Sequence, residues 1–123
     1  MTTAEMQMVR EMFATLRKHG IVARMALECC SSCAWASLEN DTLVPTPCVF
    51  FHRQDDAHAR SAPDATLAIA YGYTHNELLG DSSDALLTEL GQIVAKAAAG
   101  GGLYYEWNGR PSQRVVLKHR ELT

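Results

Sequence analysis

Across Gly20 the spacing of apolar residues changes from that of a helix to that of a strand, and this switch constrains the fold more than any other feature. Before it, Met6, Val9, Phe13 and Leu16 recur at steps of three and four, which marks one apolar helix face. "TTAE" opens this helix as a capping box, with Thr2 as the cap and Glu5 reaching back to it. Arg17, Lys18 and His19 complement the C-terminal end of the helix dipole, and Gly20 is the residue type expected just past the stop. After it, Ile21, Ala23, Met25 and Leu27 alternate with Arg24 and Glu28, the pattern of a half-buried strand. A helix that hands over so directly to a strand calls for a sheet on which its apolar face can lie.

The rest of the chain continues in the same vein. Ser31 or Ser32 is placed to cap a short helix through about Glu39 that buries Trp35 and Leu38. "NDTLVPTP" is a loop, because its two prolines forbid regular pairing. "CVFFHR", Cys48 to Arg53, reads as a second strand, "QDDAHARSAPD" as a polar loop, and Thr66 to Tyr73 as a third strand. A helix from about Ser83 to Ala99 carries Leu86, Leu90, Ile93, Val94 and Ala97 and ends in glycines. "LYYEW" and "QRVVLKH" are strands joined through "NGRPS" as a hairpin with a longer loop. The order αβαββαββ predicts one α+β domain over residues 1–123, a mostly antiparallel five-stranded sheet with about three helices packed on one face. Both hairpins, the second strand with the third and the fourth with the fifth, follow from short connections, since parallel neighbours need a crossover.

Composition narrows the function classes. A chain of 123 residues, 47% hydrophobic and 20% charged, suits an ordinary globular domain with one core. The net charge of −3 argues against a nucleic-acid partner, which needs a basic surface. The two basic spots, Arg17–His19 and Lys118, His119 and Arg120, sit at the ends of expected elements. "MTTAEMQMVREMF" lacks the basic start and apolar run of a signal peptide, and no segment approaches the ~18 apolar residues of a membrane span. The expected compartment is the cytoplasm, where thiols stay reduced. The sequence leaves open a homodimer through the first helix.

Against that background the stretch "LECCSSCAW" stands out, with Cys29, Cys30 and Cys33 inside five positions. In a reducing compartment such a group points to metal, thiol chemistry or plain burial before disulfides. Cys30 and Cys33 form a C-x-x-C pair at a helix start, where the dipole and the unpaired amides favour a thiolate. Zinc takes four soft ligands arranged tetrahedrally, and the cluster supplies two or three. The candidate sets are Cys29, Cys30, Cys33 and His52, or Cys30, Cys33, Cys48 and His52, because Cys48, Phe50 and His52 would share a strand face. Cys48, followed by Val-Phe-Phe, is most simply a core residue. A nucleophilic arrangement is the competing use: Cys30 or Cys33 attacking, His52 as base, Asp55 orienting it. His58, Arg60 and His75 read as solvated loop residues, Tyr71 as a core residue with its hydroxyl at the rim, and Trp107 as hairpin packing.

These motifs in this order, "CCSSC", "FFHRQDD", "LAIAYG" and "GGLYYEWNG", resemble a bacterial family known only as a domain of unknown function. Its pattern is similar to C-C-x-x-C, then F/Y-H-x-Q-D, L-x-L-x-Y-G and G-L-x-x-x-W-x-G, and the likeness runs from about Gly20 to Leu117. The resemblance implies no activity. It does imply that Cys29, Cys30, Cys33, His52, Gln54 and Asp55 belong to one recurring pattern, which favours the metal set Cys29, Cys30, Cys33 and His52. Asp56 departs from the pattern, standing where the family often has threonine. The leading expectation is a small accessory or immunity-type protein that recognises another protein and carries a cysteine site able to take zinc. It leans away from an enzyme because no catalytic constellation is evident. The runner-up is a thiol-dependent enzyme or redox protein using Cys30 and Cys33 with His52 and Asp55. A small-ligand domain is a third reading that no residue specifies.

Overall fold

The computed structural model describes residues 1–119, so Arg120 falls outside it. The elements are α1 (Thr3–Lys18), β1 (Val22–Arg24), α2 (Ser31–Asp41), β2 (Pro47–Phe50), α3 (Arg53–Arg60), β3 (Leu67–Tyr73), a 3-10 turn (Asn76–Ser82), α4 (Ser83–Gly100), β4 (Tyr104–Glu106) and β5 (Val115–Lys118). The chain is α+β, built on one five-stranded sheet of order β1-β2-β3-β5-β4. The β1–β2 pair is parallel, with Ala23 opposite Val49, and the other three pairs are antiparallel. The parallel pair is made through α2, the crossover that such a pair requires.

The capping box of α1 is present: the Glu5 amide donates to Thr2 Oγ1 at 3.1 Å and the Thr2 amide to Glu5 Oε1 at 2.9 Å. The apolar face of α1, Met6, Val9, Met12, Phe13 and Leu16, is buried in this chain's own core. That core lies on one side of the sheet, with Val49, Leu67, Ile69, Val115 and Leu117 from the strands, Phe51 just past β2, and Leu90, Val94 and Ala98 from α4. The period of two then sends Cys48, Phe50 and Ala70 to the other side, where Ala34 and Leu38 of α2 cover them.

Three expectations are corrected. The helices do not share one face, since α2 lies opposite α1 and α4. There are four α-helices rather than about three, because the polar run after His52 is α3 and not a loop. Consequently β2 and β3, though antiparallel, are joined through a helix and are no tight hairpin. Among the described residues no helix is long and apolar enough to cross a membrane.

Candidate metal centre

The strand expected to run to Glu28 stops at Arg24, because Ala26 (φ 51°) and Glu28 (φ 57°) enter the left-handed region. Non-glycine residues there cost about 1–2 kcal/mol each unless the surroundings fix them. Here the exit of β2 fixes them: the Leu27 amide donates to the Phe51 carbonyl and the Arg53 amide to the Glu28 carbonyl, both at 2.9 Å. Cys29 leaves this stitched turn, and Cys30, with extended backbone (φ −156°, ψ 173°), takes the N-cap position of α2 that Ser31 or Ser32 was expected to hold. Cys33 follows in the first helical turn.

The three sulfurs lie within 4.8 Å of one another, and Cys29 Sγ and Cys30 Sγ are 3.7 Å apart. A tetrahedral zinc with Zn–S of about 2.3 Å needs sulfurs about 3.8 Å apart, so the group is close enough to hold an ion. Cys29 and Cys33 are exposed and Cys30 is half-buried, whereas Cys48 is buried on the α2 side of the sheet, its thiol donating to the Thr46 carbonyl. Cys48 is no member of the group, and its core reading holds.

The thiols differ in acidity. The Cys33 amide, then the Ser32 hydroxyl and the neighbouring thiols, pull Cys30 down to about 7. Cys33 is pushed up to about 11, first by hydrogen bonding to Cys29 and Cys30 and then by their charge. Burial pushes Cys48 up to about 11.

His52 does not continue a strand. It is 7% exposed and caps α3: the Asp55 amide donates to its Nδ1 at 3.2 Å, and its Nε2 lies 3.2 Å from Asp55 Oδ2. The structure thus brings His52 and Asp55 together. Arg114, which the sequence did not single out, reaches across from the start of β5. Its guanidinium donates to Ser31 Oγ at 2.8 Å and stands 3.6 Å from Asp55 Oδ2, bracing the starts of α2 and α3. Gln54 and His58 are exposed, and Asp56 pairs with Arg60 at 3.0 Å. His75 is not a free loop residue: its Nε2 is 2.8 Å from the Thr42 carbonyl and its Nδ1 3.1 Å from Glu39 Oε2, which ties the end of β3 to the end of α2.

Two aromatic contacts hold these parts in place. Trp35 of α2 lies over Gly72 of β3 and edge-on to Phe50, with centroids 5.1 Å apart. Trp107 stands edge-on to Tyr71. The indole N–H and the phenol O–H both meet the carbonyls of Arg110 and Gln113 at 2.8–3.2 Å, which fixes the loop leading to Arg114. Each stretch that stood out in the sequence therefore has a place: the cysteines, the α3 cap, the strand under Trp35, and the hairpin pinned by Trp107.

The family described as Domain of unknown function (DUF6891) matches residues 2–121. The chain belongs to that family. No curated protein and no solved structure matches it. Within this DUF6891 chain, Cys29, Cys30 and Cys33 fit the C-C-x-x-C pattern and form the metal-spaced group.

Proposed function

We propose that this domain is a metal-binding accessory protein whose Cys29, Cys30 and Cys33 thiolates hold a thiophilic ion of the zinc class, and that it acts by recognising another protein. The observation that carries the reading is the mutual approach of three sulfurs within 4.8 Å at the protein surface. Thiolates select soft and borderline ions over magnesium or calcium. The partner half of the reading is supported by the exposed side chains of Leu43, Val44 and Leu78. Leu43 and Val44 lie on the loop before β2 and Leu78 on the 3-10 turn after β3, and Thr74 ties the two segments, its amide donating to the Thr46 carbonyl and its hydroxyl to the Val44 carbonyl.

The test is elemental analysis of protein purified without a metal-affinity tag, with Cys30→Ser and Cys33→Ser alongside. About one zinc per chain, lost in both variants, is the expected result. Metal-free protein that also fails to take up zinc added in vitro would end the proposal. A second reading, thiol chemistry at Cys30, is favoured by its place at a helix start with Cys29 Sγ 3.7 Å away. It predicts a native thiol that reacts rapidly in the metal-free protein.

A further inference from the structure

A tetrahedral ion bound to three cysteines needs one more ligand, and His52 is the residue that the sequence offers. A histidine ligates through a nitrogen lone pair. In His52 the Nδ1 lone pair accepts the Asp55 amide at 3.2 Å, so the neutral ring carries its proton on Nε2, which lies 3.2 Å from Asp55 Oδ2. Nδ1 is thereby engaged as the α3 cap, and Nε2 faces Asp55 and not the sulfurs. The arrangement is also fixed: the ring is 7% exposed, and Asp55 is approached from the far side by Arg114 at 3.6 Å. To ligate, His52 would have to uncap α3 and release Asp55. Among the described histidines, cysteines, aspartates and glutamates, the ligand atoms grouped within 4.8 Å of one another at this place are the three sulfurs.

Sites closed by four protein ligands are structural, whereas three-ligand sites keep a position for something from outside. Cys29 and Cys33 are exposed, and the side chains between the cysteines are the small Ser31 and Ser32, so the outer side of the group is accessible. Arg114 donates to Ser31 Oγ, the side chain next to Cys30, and so holds the first residue of α2 without taking a place among the sulfurs.

Resting on the metal-binding reading, we propose that the three-cysteine site keeps its fourth coordination position open and that a small external thiol occupies it as thiolate. In this exchange the incoming thiol loses its proton to solvent, its sulfur bonds to the metal, and the water previously bound there leaves. No electron is transferred. A thiolate is the occupant because an ion already selected by three soft ligands prefers a fourth soft ligand to water.

Cobalt(II) substitution reads the site directly, since sulfur-to-cobalt absorption scales with the number of thiolates. The probes are 2-mercaptoethanol and, separately, a cysteine-containing peptide, tested on the full chain and on His52→Asn. Asparagine is a strong N-cap, so this variant keeps α3 while removing the imidazole. The expected result is a three-thiolate complex, the same in both proteins, whose absorption gains about a third with mercaptoethanol as three thiolates become four. A spectrum indifferent to the thiol overturns the proposal. If His52→Asn also alters the ligand-field bands, His52 is the fourth ligand and the metal-binding function stands without the open position. A response to the peptide but not to mercaptoethanol overturns the small-molecule occupant. Failure of the full chain to take up cobalt or zinc removes the metal-binding function itself.

Discussion

Adjacent thiols in the same turn of chain are given opposite tendencies by their neighbours. Cys30 has the Cys33 amide and the Ser32 hydroxyl to stabilise its thiolate and is lowered to about 7, while Cys33 is raised to about 11. The thiolate is the nucleophile, so in metal-free protein the rate of Cys30 alkylation by iodoacetamide should climb through pH 7 and level off above it. At pH 8 it should exceed that of Cys33 by on the order of tenfold or more, and peptide mass spectrometry after a timed quench reads both. Comparable rates at the two sites would show that the acidity difference is absent. Gly91 makes a second residue-scale case. Alanine in mid-helix normally gains about 0.5–1 kcal/mol over glycine. Here a Cβ would stand 2.5 Å from Trp107 Cζ2 and 3.0 Å from Tyr71 Cζ, two rings fixed by their hydrogen bonds. Overpacking of that kind costs about 1–3 kcal/mol, so Gly91→Ala should destabilise the protein in urea melts. A gain in stability would mean that the rings move freely.

At the scale of the element, α3 shows what a local cap contributes. His52 and Asp55 form a reciprocal pair of bonds across its first turn, at 3.2 and 3.3 Å. His52→Ala should cost about 0.5–2 kcal/mol with an unchanged denaturant slope, and His52→Asn should recover most of it. Equal midpoints for wild type and His52→Ala would deny the cap its role. This helix was also the element least legible in the sequence. Among its residues only Ala59 is buried, so "RQDDAHAR" carries no apolar periodicity, and a histidine cap is not the expected start signal. α1, by contrast, has Met6, Val9, Phe13 and Leu16 at helical spacing and a Thr-x-x-Glu box, and its bounds are legible almost to the residue. The sequence pattern of β1 outruns the strand for a related reason. The alternation of Met25 and Leu27 persists after the backbone has turned, because apolar residues can point inward from a coil as well as from a strand.

For the whole molecule, the division into two cores was hidden because periodicity reveals that a strand has two faces and says nothing about which helix covers each. The site was half legible on similar grounds. Cys29, Cys30 and Cys33 are close in sequence and therefore close in space, whereas Arg114 meets Ser31 across 83 positions and depends on the Tyr71–Trp107 contact to get there. The same layout determines what the metal contributes to folding. Both cores are built from residues other than these three cysteines. Ligands confined to five positions close only short loops, which removes little entropy from the unfolded chain. The apo protein should therefore remain folded, unlike a zinc finger, whose fold depends on its metal. Treatment with EDTA should leave the far-UV circular dichroism and a cooperative melt intact. Metal at about 100 times its dissociation constant should then add about 2.7 kcal/mol by mass action, on the order of 10 °C in Tm. That increment should vanish in Cys30→Ser. Collapse of the circular dichroism signal on chelation would show instead that the cysteine turn organises the sheet, and that the two cores cannot form without it.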